Sequence, residues 1–122
     1  MRVATQQLGS VAVVSLSGDL DARTAPATRA QVSQVLARHS SVLLDLSDVA
    51  YVSSAGLRAL LLLYRRVQAT GGAIVLVGVP PALHTVLSAT GFLGFFKIAD
   101  TVTEGVDRLE ADEQSGWNTN RT

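Results

Sequence analysis

Two adjacent serines, Ser53 and Ser54, stand directly before a run whose leucines recur at helical spacing. A serine there can cap the helix, its hydroxyl accepting from first-turn N–H groups that lack an intrahelical partner. One serine suffices for that. The second, Ser54, keeps a hydroxyl that can stay free and exposed. A phosphoryl group on it would meet open N–H donors and the positive end of the helix dipole. It would also add roughly 1.5 to 2 negative charges at pH 7. The chain is otherwise balanced, with ten Lys and Arg against ten Asp and Glu. Such a mark can abolish docking by repulsion and desolvation without refolding the domain.

Other chemistries find little support. A dinucleotide site needs Gly-x-Gly-x-x-Gly at a strand-to-helix turn. Here Gly71-Gly72 precedes a strand, and Gly78 lacks the glycines that should follow it. No Gly-Lys-Ser or Gly-Lys-Thr is present, and the one lysine, Lys97, lies in an aromatic segment. Val52-Ser53-Ser54-Ala55-Gly56 has the second half of a hydrolase elbow, Gly-x-Ser-x-Gly, without the first. His39 falls at a helix end, where the dipole favours it. His84 could act as a base for Ser54 only if folding joined them. No catalytic residue, metal ligand set or cofactor is expected.

Composition narrows the class further. With 122 residues and 48% hydrophobic content, the chain can build one packed domain. The zero formal charge argues against a nucleic-acid binder, and the only adjacent basic pair is Arg65-Arg66. There is no cysteine, which removes disulfides, thiolate metal sites and cysteine nucleophiles together and fits a reducing compartment. No charged n-region precedes an apolar core and cleavage site. The longest apolar stretch, around Leu60 to Leu63, is far short of the roughly 20 residues a span requires. A cytoplasmic location is expected.

The elements that would hold the serines can be read from periodicity and punctuation. Residues 2–5 form a weak strand and 6–10 a turn. Residues 11–17, alternating and β-branched, pair with the first strand as a hairpin. Gly18 breaks that strand, and Asp19-Leu20-Asp21 is a loop. Thr24 and Pro26 open a helix to about Arg38 that buries Val32, Val35 and Leu36. Residues 42–46 are a buried strand, and 47–52 a partly apolar loop. From Ser53 or Ser54 to about Thr70 runs an amphipathic helix with Leu57, Leu60, Leu61, Tyr64 and Val67 on its core stripe. Leu62 and Leu63 widen that apolar surface, and Gly71-Gly72 ends it.

Residues 73–79 form another buried strand, Pro80-Pro81 start a helix over about 82–89, and Gly91 stops it. Phe92, Leu93, Phe95, Phe96 and Ile98 should seal one end of the core around a short strand. Thr101-x-x-Glu104 has capping-box spacing and opens a last helix to about Ala111. Residues 112–122 read as a polar flexible tail, with Trp117 alone in it. The order gives an α/β domain with about four helices. Its mixed, mostly parallel sheet carries an N-terminal antiparallel hairpin.

The run from Val42 to Leu57, which reads Val-Leu-Leu-Asp-Leu-Ser-Asp-Val-Ala-Tyr-Val-Ser-Ser-Ala-Gly-Leu, resembles the signature of the STAS domain (sulfate transporter and anti-sigma factor antagonist). Ser17-Gly18-Asp19-Leu20-Asp21 is similar to that family's Gly-Glu-Leu-Asp loop, and Thr90-Gly91-Phe92 to its Thr-Gly-Leu segment. The resemblance covers roughly residues 3 to 110 and places a STAS domain over 1–111.

What the resemblance implies is a partner switch. In that family the unphosphorylated protein binds a serine-kinase anti-sigma factor and frees a sigma factor. The kinase, holding ATP, then phosphorylates the serine that opens the helix, and a phosphatase, possible as a PP2C type, resets it. Aligned on Gly56 and Leu57, the acceptor falls on Ser54. Where the family commonly has Asp before it, this chain has Ser53, the alternative acceptor. The implied partner surface comprises Asp19, Asp21, Ser53, Ser54, Gly56, Leu57, Arg58 and Leu62. A second reading is a STAS subunit that is not phosphorylated and serves another complex, such as a lipid-transport ATPase. A third, a small-molecule-binding or catalytic domain, needs a polar pocket that no charged cluster in the sequence lines.

Overall fold

The computed structural model describes the backbone of residues 1–121 and the side chains of residues 1–111. Its elements in order are β1 (Arg2–Leu8), β2 (Val11–Leu20), α1 (Ala25–Leu36), β3 (Ser41–Val52), α2 (Ser54–Thr70), β4 (Ala73–Val77) and α3 (Pro81–Thr90). A short 3-10 turn (Phe92–Phe95), β5 (Lys97–Ala99) and α4 (Val102–Arg121) complete the chain. The five strands form one sheet in the order β1-β2-β3-β4-β5. β1 runs antiparallel to β2, and the other neighbours are parallel. The expected α/β class, mixed sheet and N-terminal hairpin are all present.

The central strands are buried on both faces, which is why they read as apolar runs. Val42, Leu44, Leu46, Ile74 and Leu76 face one core, shared with Val32 of α1, Leu60 of α2 and Leu87 of α3. Leu43, Val75 and Val77 face the other, closed by Val106 and Leu109 of α4. β2 follows the same rule: Val11 to Val14 are all buried, so the alternation expected there marks two cores and not one wet face. Three helices thus cover one side of the sheet and one helix the other.

Several boundaries differ from expectation. β1 continues to Leu8, leaving a tight turn at Gly9 and Ser10. β2 does not stop at Gly18 but runs on to Leu20, so Asp19 and Leu20 are strand residues. Residues 47–52 are not a loop: they are the second half of β3, paired with residues 17–20 of β2. The pairing shifts register between Ser15 and Ser17 and again between Gly18 and Asp19, β3 carrying the extra residue each time. Gly18 sits at the second shift with φ of 115°, open to glycine and strained for other residues. β4 ends at Val77, before Gly78 and Val79.

The helices obey their punctuation. Ser53 caps α2, Gly71 closes it in the left-handed conformation, and Gly91 does the same for α3. Thr101 Oγ1 accepts from the Glu104 amide at 3.1 Å, half of a capping box. α1 ends at Leu36, two residues short of Arg38. The backbone of α4 continues to Arg121, past Ala111, because the apolar signal stops at Leu109 and says nothing about a polar continuation. The side chains of residues 112–121 and all of Thr122, with the tail and Trp117 expectations, lie outside the described residues. Among the described residues no helix is long and apolar enough to cross a membrane.

One buried group is unsatisfied. Thr28 in α1 is 3% exposed, and its hydroxyl has no hydrogen-bond partner among the described residues. A buried hydroxyl without a partner opposes folding, and valine has nearly the same shape. Thr28→Val is expected to raise stability by about 1 kcal/mol, read as a higher urea midpoint with an unchanged slope.

Candidate functional site

The site forms where the C-terminal end of β2 meets the start of α2. Leu20, the last residue of β2, pairs with Val52 at the end of β3. Its carbonyl accepts from the Ser53 amide at 2.9 Å. The Ser53 hydroxyl in turn accepts from the Gly56 amide at 3.2 Å, and its carbonyl takes the first helical bond from Leu57 at 2.9 Å. Gly56 is buried with its α-carbon against Leu20, so that a β-carbon would run into the Leu20 carbonyl. Strand end and helix start are therefore fixed to each other through backbone.

Within this junction the two serines divide the work. Ser53 is half-buried, extended, and committed as the cap. Ser54 is the first residue of a seventeen-residue helix, exposed, and its hydroxyl makes no hydrogen bond among the described residues. The amides of Ser54 and Ala55 precede the first intrahelical bond, so open donors and the positive dipole end lie close by. An anion on Ser54 Oγ would be stabilised by both.

The two aspartates also separate. The Asp21 carboxylate accepts from the amides of Arg23 at 2.9 Å and Thr24 at 3.2 Å. Thr24 Oγ1 accepts from the Asp21 amide at 3.0 Å and donates to the Asp19 carbonyl at 2.7 Å. Asp21 thus closes the turn leading into α1, where Thr24 occupies the cap position without a side-chain cap bond. Asp19 is exposed and pairs in register with Tyr51. Leu20 between them is held to Ser53 and Gly56, but the two aspartates line a separate hollow with Met1, Arg23 and Thr24 and, among the described residues, share no cleft with the serines.

Two shallow clefts flank the junction. One, of about 310 Å³, is lined by Tyr51, Ser53, Ser54 and Leu57 together with Pro80, just before α3, and Val86, in the middle of it. Tyr51 is 57% and Val86 43% exposed, large apolar surface beside a free hydroxyl. The other, of about 220 Å³, lies between α1 and α2 and holds Arg58 and Leu62 beside Pro26 and Arg29. The structure thus places Ser53, Ser54 and Leu57 on one cleft and Arg58 and Leu62 on the other. His84 is exposed on α3 and lines neither.

The helix stripe is turned from the one read in sequence. Ala59, Leu60, Leu63 and Val67 are buried, while Leu57, Leu61, Leu62 and Tyr64 are only partly so. Leu63 is a core residue, and Leu62 is half-buried at the edge of the stripe. Sequence reasoning missed Tyr51, Pro80 and Val86. Tyr51 falls in a segment whose residues alternate too weakly to read as a strand, and α3 approaches α2 only through the fold. Among the described residues no cluster of three His, Asp or Glu could hold a metal ion.

Fold and site together define a small binding domain in which a parallel strand end anchors a serine-capped helix. The STAS domain model matches residues 2–105, and the chain belongs to the STAS domain family. Among curated proteins it is similar to the anti-sigma F factor antagonist of Paenibacillus polymyxa, 26% identical over 112 residues, covering 90% of this chain and 96% of that one. Among solved structures it is similar to an anti-sigma factor antagonist from Mycobacterium paratuberculosis. That pair has a TM-score of 0.80 and 27% identity, over 89% of this chain and 93% of the other. The Bacillus cell fate determinant SpoIIAA in its phosphorylated form shares the fold, with a TM-score of 0.70 and 21% identity, over 88% and 98% of the two chains.

Three substitutions separate anchor, cap and surface. Gly56→Ala is expected to cost about 2 kcal/mol or more, because the obstacle is backbone and cannot rotate away. Ser53→Ala should cost about 1 kcal/mol as a lost cap, and Ser54→Ala should stay within about 0.5 kcal/mol of the parent. Equilibrium denaturation of the three variants checks the order.

Proposed function

We propose that this chain is an anti-sigma factor antagonist that works by partner switching, with Ser54 as the phosphoryl acceptor. The observation that carries this reading is the division between the serines: Ser53 is spent on the cap, while Ser54 is exposed on a helix start tied to the end of β2 through backbone. Similarity to the named antagonists supplies the partner class. In the binding state the junction, with Tyr51, Leu57 and Val86 around it, meets a serine-kinase anti-sigma factor and frees its sigma factor. Asp19, Arg58 and Leu62 extend that surface on either side of Ser54.

The kinase partner brings ATP. Ser54 Oγ attacks the γ-phosphorus, the bond to the β-phosphate oxygen breaks, ADP leaves, and the serine proton passes to a base on the partner. The product is a phosphoserine at the positive end of α2, carrying roughly 1.5 to 2 negative charges at pH 7. Local amides stabilise that charge in the free protein. In the complex the same charge would lie against the apolar surface of Tyr51 and Val86, where its desolvation opposes docking. A phosphatase, of PP2C type in this proposal, hydrolyses the ester and restores binding. Ser53 is the weaker acceptor, since modification there removes the cap before it changes the surface.

Intact mass measured after mixing with candidate serine-kinase anti-sigma factors and ATP tests the switch. One added phosphate is expected, absent in Ser54→Ala and present in Ser53→Ala. Ser54→Asp should weaken partner binding on the order of tenfold or more, as desolvating one charge in an interface does. A phosphate that survives Ser54→Ala moves the acceptor to Ser53. Binding that ignores both ATP and Ser54→Asp favours the unphosphorylated-subunit reading and overturns this one.

A further inference from the structure

A third cleft, of about 490 Å³, lies farther along α2, where the helix faces the 3-10 turn. Its walls are aromatic. Tyr64 stacks on Phe95 at a centroid distance of 5.2 Å with an interplanar angle of 11°, and Phe92 leans on Phe95 at 5.5 Å. Phe96 packs edge-on to Tyr64 at 5.4 Å from behind, so the stack is backed by the core. Leu61 and Leu62 continue the apolar floor. Phe95 nevertheless remains 46% exposed, its outer part bare above the cleft.

The charged groups at the rim are both positive. Arg58 and Arg65 are separated by seven residues of α2, about 10 Å along the axis and nearly on one face, and Gln68 follows one turn on. Among the described residues neither arginine makes an ion pair or hydrogen bond, and no carboxylate lines the cleft. An apolar, partly preformed hollow of this volume with a few convergent polar groups is the usual form of a small-ligand site. Two unpaired guanidinium groups select an anionic head, and stacked rings select an apolar or aromatic body.

We propose that the cleft between α2 and the 3-10 turn binds an amphipathic organic anion, its body against Tyr64, Phe92 and Phe95 and its carboxylate or phosphate head held by Arg58 and Arg65. This site does not depend on phosphorylation of Ser54. It shares Arg58 and Leu62 with the cleft between α1 and α2.

The test is a titration of the isotopically labelled protein with decanoate below its aggregation concentration, followed by amide NMR. Decyl phosphate, decanol and decyltrimethylammonium are run alongside. Saturable shifts centred on residues 58–68 and 92–95 are expected with the two anions, the tighter of them identifying the preferred head. Arg65→Glu, at an exposed position, should weaken anion binding on the order of tenfold, the loss of one charge-assisted contact. Phe95→Ala, checked for folding by its thermal melt, should weaken all apolar ligands together. Absence of saturable shifts, equal binding of decyltrimethylammonium, or unchanged affinity in Arg65→Glu would overturn the proposal.

Discussion

The Leu20 carbonyl is the point at which sheet and helix are fastened. It receives the Ser53 amide at 2.9 Å and lies against an α-carbon, Gly56, that carries no side chain. Everything presented by the site follows from that approach. The last residues of β2 bring Asp19 and Asp21 to the helix start, and the end of β3 brings Tyr51. The cap serine is held between strand and helix, and the next serine is left outside. Any larger residue at position 56 would push the helix off the strand, and the serines would lose their fixed relation to Asp19 and Tyr51.

That rigidity suits a switch that acts by charge. A phosphate placed on a loose loop could be accommodated by moving the loop. On Ser54 it stays where a docking partner must meet it, because the following turns bury Gly56, Ala59, Leu60 and Leu63 against sheet and neighbouring helices. The helix dipole and first-turn amides stabilise the charge in the free domain, while apolar neighbours make it costly in a complex. The two effects act in the same direction. They allow the marked protein to be well folded and poorly bound.

Much of this was legible before the structure. Helical spacing from Leu57 to Val67, glycines at 71 and 91, and Ser53 before the first turn are local signals, and each describes the element it lies in. The element order then implied the sheet. What escaped was set by pairing between distant residues. The second half of β3 is wet at Ser47, Asp48, Ala50 and Tyr51 and passes through two register shifts, so its alternation does not look like a strand. The core stripe of α2 turned toward Ala59 and Leu63 because the helix packs on both the sheet and α1, and small residues face the closest approach. The turn that the Asp21 carboxylate closes, through hydrogen bonds from the Arg23 and Thr24 amides, is likewise a matter of three-dimensional geometry.

The most direct measurement compares the amide NMR spectra of the protein before and after phosphorylation of Ser54. A mark on a fixed helix start should shift resonances near the junction, at residues 19–21 and 51–58, and leave the rest of the sheet and α4 unchanged. Shifts spread through both cores, or loss of the Ser53 cap signals, would mean that the modification refolds the domain and that the fixed helix start is not the basis of the switch.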